Sequence, residues 1–343
     1  MTMPMLDVFN SDAFSVVSLT DAINKLKFVP GYLGSSGLFS ESGVTTTSIA
    51  IESKNNVLSL VPPTPRGGPG ITLDKGKRSM LSVNVPHFEV NDAVMAEEVQ
   101  NIRPFGQESG EDSVMRLVGE RMQVDGQSHE ATIEYSRIGA VKGVVTYADG
   151  STLNLFTTFG VAQQPELGFD LSNPNPADGI LRKTCAGVIR TTAAALDGTP
   201  FTGLEAICGD NFFDALIMHK EVRATYMNYQ AAAELRQAYI SAGQTFGSFP
   251  FGGIQWTNYR GQVGAQAFID PDKCHIYPTG VPGLFRTYFA PADYMETVNT
   301  LGQARYARQY VMQNNKGVHL DVQTNNLNLC TRPTALIQGR RTA

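Results

Sequence analysis

The sequence predicts an α+β chain built from more than one unit. Three observations predict it: extended runs broken by Pro/Gly and Asp-Gly turns, a helical period sustained over residues 111–140, and a change of texture from about residue 200. At 343 residues the chain exceeds one average core, so it holds two domains or one domain with large extensions. Apolar residues make up 42%, enough for a sizeable core, while only 17% are charged, below the usual quarter or so. A surface so short of charge points to coverage by partners. With a net charge of −5, the chain is not a free nucleic-acid binder held by phosphate neutralisation.

Residues 1–35 read as an arm. Ser18-Leu19-Thr20-Asp21 caps one short helix that runs through Lys27, and Pro30-Gly31 breaks it. Such a segment buries little by itself and leans on something else. Residues 46–61 alternate as a strand does, with a turn at Asn55-Asn56, and residues 71–85 are extended again. Between them lies VPPTPRGGPGI, Val61 to Ile71. Its glycines suggest a phosphate cradle, but Gly70 is followed by Ile71-Thr72, where a phosphate loop needs Lys-Ser/Thr and then a helix. The dinucleotide pattern fails as well. The stretch therefore reads as a projecting loop, stiffened by proline and bent at glycine. A ribbon with so little to bury wants a docking surface.

Charge suggests which surface. Residues 66–78 carry Arg66, Lys75, Lys77 and Arg78 against Asp74. Residues 89–112 carry Glu89, Asp92, Glu97, Glu98, Glu108, Glu111 and Asp112 against Arg103. Both runs can be plain solvated faces. The sharper expectation is that the basic loop of one subunit lies over the acidic stretch of the next.

Residues 111–140 form the strongest helix, with Val114, Met115, Val118 and Met122, then Ile133, Tyr135 and Ile138, at helical spacing; Gly126 weakens its middle. His129-Glu130 opens a zinc-type HExxH pattern that fails at Ile133. A hairpin follows over VKGVVTYADGSTLNLFTTFGV, turning at Asp149-Gly150, then a helix from about Pro176 to Leu196. Beyond residue 200, Asn211–Met218 and Ala231–Ala242 read as helices, and FPFGGIQWTNYRG and CHIYPTGVPGLFRTYFAP as strands with Gly/Pro loops. His219, Glu221, Arg223, His275 and Tyr277 invite a catalytic reading, but no nucleophile elbow, paired-carboxylate motif or metal spacing supports one. Trp256, the single tryptophan, reads as a packing anchor. The tail alternates on both sides of Asn325-Asn326, as a closing hairpin or as two strands returning to the first domain. Cys185, Cys208, Cys274 and Cys330 form no CxxC pair and read as reduced, buried thiols. The N-terminus has no secretory pattern, and no run of apolar residues is long enough to span a membrane.

The accumulated stretches resemble a family. The markers are SIAIESKNNVLSLVPPTPRGGPG, VPHFEVNDAVMAEEVQNIRPFG, EYSRIGAVKG, FFDALIMHKEVRATYMNY, FPFGGIQWTNYRG, PTGVPGLFRTYFAPADYMETVNTLGQARYARQ and VQTNNLNLCTRP, in that order over nearly the whole chain. Together they resemble the major capsid proteins of lambda-like tailed phages, the capsid E family. One departure is Lys220, where many relatives place proline.

The resemblance implies the tailed-phage major capsid protein fold. It places an N-terminal arm at 1–40, an extended β-hairpin loop at 41–100, a peripheral domain with a long spine helix at 101–197 and 306–343, and an axial domain at 198–305. It implies a structural protein, not an enzyme, with no cofactor. Copies would assemble through pentamers and hexamers into an icosahedral shell around double-stranded DNA that is packaged without specific binding. Arg66, Gly67, Gly68, Lys75, Lys77 and Arg78 become loop contacts to a neighbour, and Glu97, Glu98, Glu108, Glu111 and Asp112 the acceptor. Further partners would be a head decoration protein, a scaffold or protease, and a portal. Assembly would take place in the bacterial host cytoplasm and the product would be the virion, with no membrane step. Covalent crosslinking through Lys75 or Lys77 is not expected. The rival reading is an encapsulin-like nanocompartment shell, and a cytoplasmic enzyme using the Gly-rich loop fails on its missing motif.

Overall fold

The computed structural model describes residues 15–25, 31–54, 78–100, 110–227, 247–263 and 266–342. In chain order the elements begin with α1 (Val16–Lys25), α2 (Tyr32–Ser35), β1 (Ser40–Gly43), β2 (Ser48–Lys54), β3 (Arg78–Asn84), β4 (Phe88–Met95), α3 (Ala96–Gln100) and α4 (Gly110–Lys142). Next come β5 (Val144–Thr146), β6 (Thr152–Asn154), α5 (Leu155–Phe159), β7 (Leu167–Gly168), α6 (Ile180–Ala195), β8 (Gly203–Cys208), α7 (Asp210–Met218) and α8 (Lys220–Met227). The remainder is β9 (Ser248–Phe251), β10 (Ile254–Asn258), β11 (Gln262–Val263), β12 (Gln266–Ala267), β13 (Lys273–Thr279), β14 (Phe285–Phe289), β15 (Tyr306–Val311), β16 (Gly317–Thr324), β17 (Asn326–Cys330) and β18 (Ile337–Arg340). The mixture is α+β, as the sequence predicts.

Two units form, each from three stretches of chain. The first comprises Met1–Thr47, Asn84–Ile138 and Phe285–Leu329; the second comprises Ser48–Val83, Gly139–Leu284 and Cys330–Ala343. This grouping by contact differs from the four-part division read above: residues 285–305 join the first unit and residues 139–197 the second.

In the first unit β16 is the middle strand of three, antiparallel to β15 and to β4. Alternation turns Val318, Leu320 and Val322 to one face, where they meet Val94, Ala307, and Val118 and Met122 of α4. Leu19 and Ile23 of α1 close this core, so this part of the arm leans on its own chain. Ser15 Oγ accepts the Ser18 amide at 3.2 Å, so the N-cap stands three residues before the expected one. A second sheet orders β1, β14 and β17, with β1 parallel to β14. β16 and β17 flank Asn325 but enter different sheets of the first unit, so of the two readings the tail takes the returning strands and not the hairpin.

The helix expected over 111–140 is present as the 33-residue α4. Val118, Met122, Ile133 and Ile138 are buried, while Met115 is exposed. α4 also buries polar side chains. Glu134 accepts the amides of Leu33 (2.8 Å) and Gly34 (3.1 Å), the orphan donors at the start of α2. That approach leaves no room at Gly31, where a Cβ would lie 2.1 Å from the Glu134 carboxyl carbon.

In the second unit a six-stranded sheet runs β7-β18-β13-β8-β10-β9. β8 lies parallel to β10 and antiparallel to β13, and Ala206, Ile207 and Cys208 are fully buried, as a central strand requires. β9 carries Pro250 and sits at the edge, where a missing amide is tolerated. β9 and β10 join through Gly252-Gly253 alone, both at positive φ, the geometry of a tight hairpin turn. The Asp149-Gly150 hairpin also forms, between β5 and β6. It ends early, because Asn154 Oδ1 accepts the Phe156 and Thr157 amides and starts α5 where the sequence suggested more strand.

Trp256 anchors this unit's core. Its ring stands edge-on to Phe169 (5.6 Å between centroids) and stacks on Phe212 (5.9 Å), and Nε1 donates to the Phe251 carbonyl at 3.0 Å. Trp256→Ala is expected to cost about 3–5 kcal/mol, read as a lower urea midpoint by far-UV circular dichroism; a cost under about 1 kcal/mol would contradict this packing.

Candidate assembly surface

β2 and β3 pair as a two-stranded ribbon, the base of the loop the sequence predicts. Ile49 and Val83 are buried and Met80 is 72% exposed, so the ribbon covers one face only. Arg78 is the first residue of β3. Arg66, Gly67, Gly68, Lys75 and Lys77, the Asn55-Asn56 turn and Glu108 lie outside the described residues, as does the helix expected at Ala231–Ala242.

The acidic stretch is partly occupied by its own chain. Arg121 of α4 donates through Nη2 to Glu98 Oε1 (2.8 Å) and through Nη1 to Asp92 Oδ2 (3.2 Å). The other Glu98 oxygen accepts the Met95 amide at 3.1 Å, the reach-back bond of a capping box at the start of α3. Asp92 Oδ1 accepts the Ala93 amide at 2.7 Å. β4 is the edge of its sheet, so these carboxylates answer donors that another strand could otherwise use. Glu97 is exposed, and Glu111 and Asp112 fall in the first turn of α4. Neither Asp92 nor Arg121 shows its role in the sequence, since nothing there links Arg121 to a strand twenty-odd residues earlier.

The same cluster holds Asp125. This residue is buried, and its Oδ2 has no hydrogen-bond partner. Burial, and then the neighbouring Asp92 charge, push its pKa from 3.8 to about 6, with Arg121 opposing.

The residues that invited a catalytic reading do not converge. His219 Nδ1 accepts the Glu221 amide at 3.3 Å, and the Glu221 carboxylate accepts the Leu181 and Arg182 amides at the start of α6. His219 and Arg223 border a cleft of about 490 Å³ together with Lys220, whose amine is held in its charged form by Asp178 at 2.9 Å. His275 is buried in β13, and Tyr277 donates to Glu205 at 3.0 Å. His129 lies within 3.1 Å of the Val322 carbonyl, and burial lowers its pKa to about 4, so it is neutral at pH 7. Among the described residues no cluster of His, Cys, Asp and Glu has metal-binding geometry, and no helix is long and apolar enough to cross a membrane. All four cysteines are free and buried.

The family model described as "Phage major capsid protein E" matches residues 15–341. The chain belongs to this family. Two curated relatives are similar over almost their full lengths. The "Major capsid protein" of Pseudomonas phage KPP10 is 27% identical, with 95% of this chain and 97% of the relative covered. That of Salmonella phage Felix O1 is 24% identical, with 99% of each covered. Among solved structures, the capsid of Myoviridae Phage XM1 aligns with a TM-score of 0.52 at 10% identity, covering 92% of this chain and 94% of that one. The fold is that of phage capsid proteins, and the six-stranded sheet and long α4 are two of its parts in this family member.

The Asp125 environment has a pH signature. A raised carboxyl pKa stabilises the folded state fully below the unfolded value, and that contribution is lost as pH rises through about 6. Asp125→Asn is therefore expected to add about 2 kcal/mol of stability near pH 8 and little near pH 4. Urea midpoints at the two pH values measure this; equal gains at both would contradict it.

Proposed function

We infer that this chain is a structural subunit of a phage head, and that many copies of it close into an icosahedral shell. The observation that carries the reading is the family match over residues 15–341, with capsid relatives similar along their whole lengths. The chemistry agrees: of the polar residues that first suggested a site, Glu221 caps α6, Tyr277 donates to Glu205 and His275 is buried in β13. The same match favours a phage head over a cargo-carrying nanocompartment.

The mechanism is association. A closed shell repeats heterologous contacts around each axis, and each subunit is held by several at once, so modest contacts add up. The four-part division into arm (1–40), extended loop (41–100), peripheral domain (101–197 and 306–343) and axial domain (198–305) describes roles in that shell. Pentamers and hexamers are its building blocks. The decoration protein, scaffold or protease, and portal are the partners, and the host cytoplasm is the site of assembly. A net charge of −5 keeps packaged DNA from sticking to the wall.

The test is electron microscopy with light scattering on the protein expressed alone and with the neighbouring head genes. Shells, tubes or isolated rings are expected, and a compact monomer under both conditions would overturn the reading. The loop contact is tested separately. Lys75→Glu with Lys77→Glu and Arg78→Glu is expected to lower particle yield at least about tenfold while the far-UV spectrum stays unchanged. Normal yield would remove the basic loop from the set of contacts.

A further inference from the structure

Residues 290–305 link β14 to β15 in the first unit and hold three large apolar side chains in water: Met295 (86% exposed), Val298 (57%) and Leu301 (64%). Single exposed apolar residues are ordinary, but three within seven residues on a fixed loop are not. The loop is fixed at many points. Met295–Thr297 forms a 3₁₀ turn, and Thr297 Oγ1 lies 2.8 Å from the Ala292 carbonyl and 3.0 Å from that of Tyr294. The Gly302 amide donates to Val44 (2.8 Å), the Gln303 amide to the Tyr306 hydroxyl (2.9 Å), and the Asp293 amide to Gln323 (3.1 Å). Beneath, Ala292, Tyr294 and Tyr306 pack with Val16 of α1.

A loop tied in this way cannot fold its apolar tip inward. Burying three such side chains on a partner is favourable, with little ordering cost left to meet. The local charges are already engaged: Glu296 meets Arg308 at 3.4 Å, Arg308 lies over the Tyr294 ring at 5.2 Å, and Arg305 pairs with Glu130. The loop's own cation Arg305 and the neighbouring Arg308 are both paired, so the tip suits an apolar protein surface better than a phosphate backbone. The same chain supplies one, because the 490 Å³ cleft on the second unit is walled by Leu171, Pro174, Pro176 and Met218 beside the polar His219, Lys220 and Arg223.

We propose that the Met295–Leu301 tip is an inter-subunit contact, buried against a second copy of this chain in the shell. The inference rests on the shell reading above and assigns it a surface. Met295→Cys tests it, because all four native thiols are buried and leave a low background. Maleimide labelling of the introduced thiol is expected to be at least about tenfold slower in shells made from this chain alone than in the same shells dissociated. Equal rates would overturn the inference while the shell reading stands. A wild-type chain that stays a compact monomer both alone and with the neighbouring head genes would overturn both. If Met295→Cys itself fails to assemble, Met295→Leu is expected to assemble and Met295→Asp to fail; assembly of Met295→Asp at wild-type yield would also overturn the contact.

Discussion

The first unit depends on one constraint: α4 buries polar and charged side chains, and most of them are answered by other elements, Asp125 Oδ2 being an exception. Arg137 is 6% exposed and pairs with Glu41 of β1, with Phe39 beneath its guanidinium at 5.4 Å. Glu134 holds the start of α2, His129 faces β16, and Glu130 meets Arg305 just ahead of β15. Ser136 accepts from Asn328 at 3.0 Å, and Asn328 in turn accepts from Thr287 at 2.6 Å. A one-residue rotation of α4 would strand several of these groups, at about 1–3 kcal/mol for each neutral group and more for the charged ones. Such a network contributes modestly to net stability. What it specifies is the rotation of the helix and the placement of four strands and a short helix around it.

The same constraint imposes an order on folding. β4 and β16 are separated by more than two hundred residues, yet they pair from Phe88↔Thr324 to Met95↔Gly317. The second unit has a similar debt, since β18 near the C-terminus completes β13. Neither unit can close until nearly the whole chain exists, and non-local pairing of this kind folds slowly. Until then, edge strands and apolar faces stand open. The Asp92 and Glu98 carboxylates that occupy the outer amides of β4 remain useful throughout, because they depend only on local chain and Arg121.

What was legible in the sequence follows from this division between local and distant causes. Val118, Met122, Ile133 and Ile138 announce α4 because helical period is local. Asp149-Gly150 and Gly252-Gly253 announce their turns because positive φ is local. Trp256 reads correctly as an anchor. The tail left two readings open because Asn325-Asn326 looks like a turn; the hairpin fails and the two returning strands form, since β4 and β14 upstream supply partners to β16 and β17. α5 misleads because Leu155 and Phe156 alternate well enough for a strand, and only the Asn154 cap decides otherwise. The acidic stretch was legible as charge but not as use. Its pairing with Arg121 depends on how α4 rotates, which the apolar period alone does not set.

That pairing changes what electrostatics can do between copies. Each carboxylate satisfied inside the chain is one fewer available to attract a neighbour, and Asp92 and Glu98 are both spent this way. Exposed ion pairs are also weak and salt-screened, with a median worth of about 0–1 kcal/mol. A subunit with only 17% charged residues, whose local charges are consumed in holding its own helix and edge strand, is built for contacts that salt does not weaken. Apolar side chains on a tied loop meet that requirement, and a shell that must stay closed around a dense polyanion and its counterions gains from it.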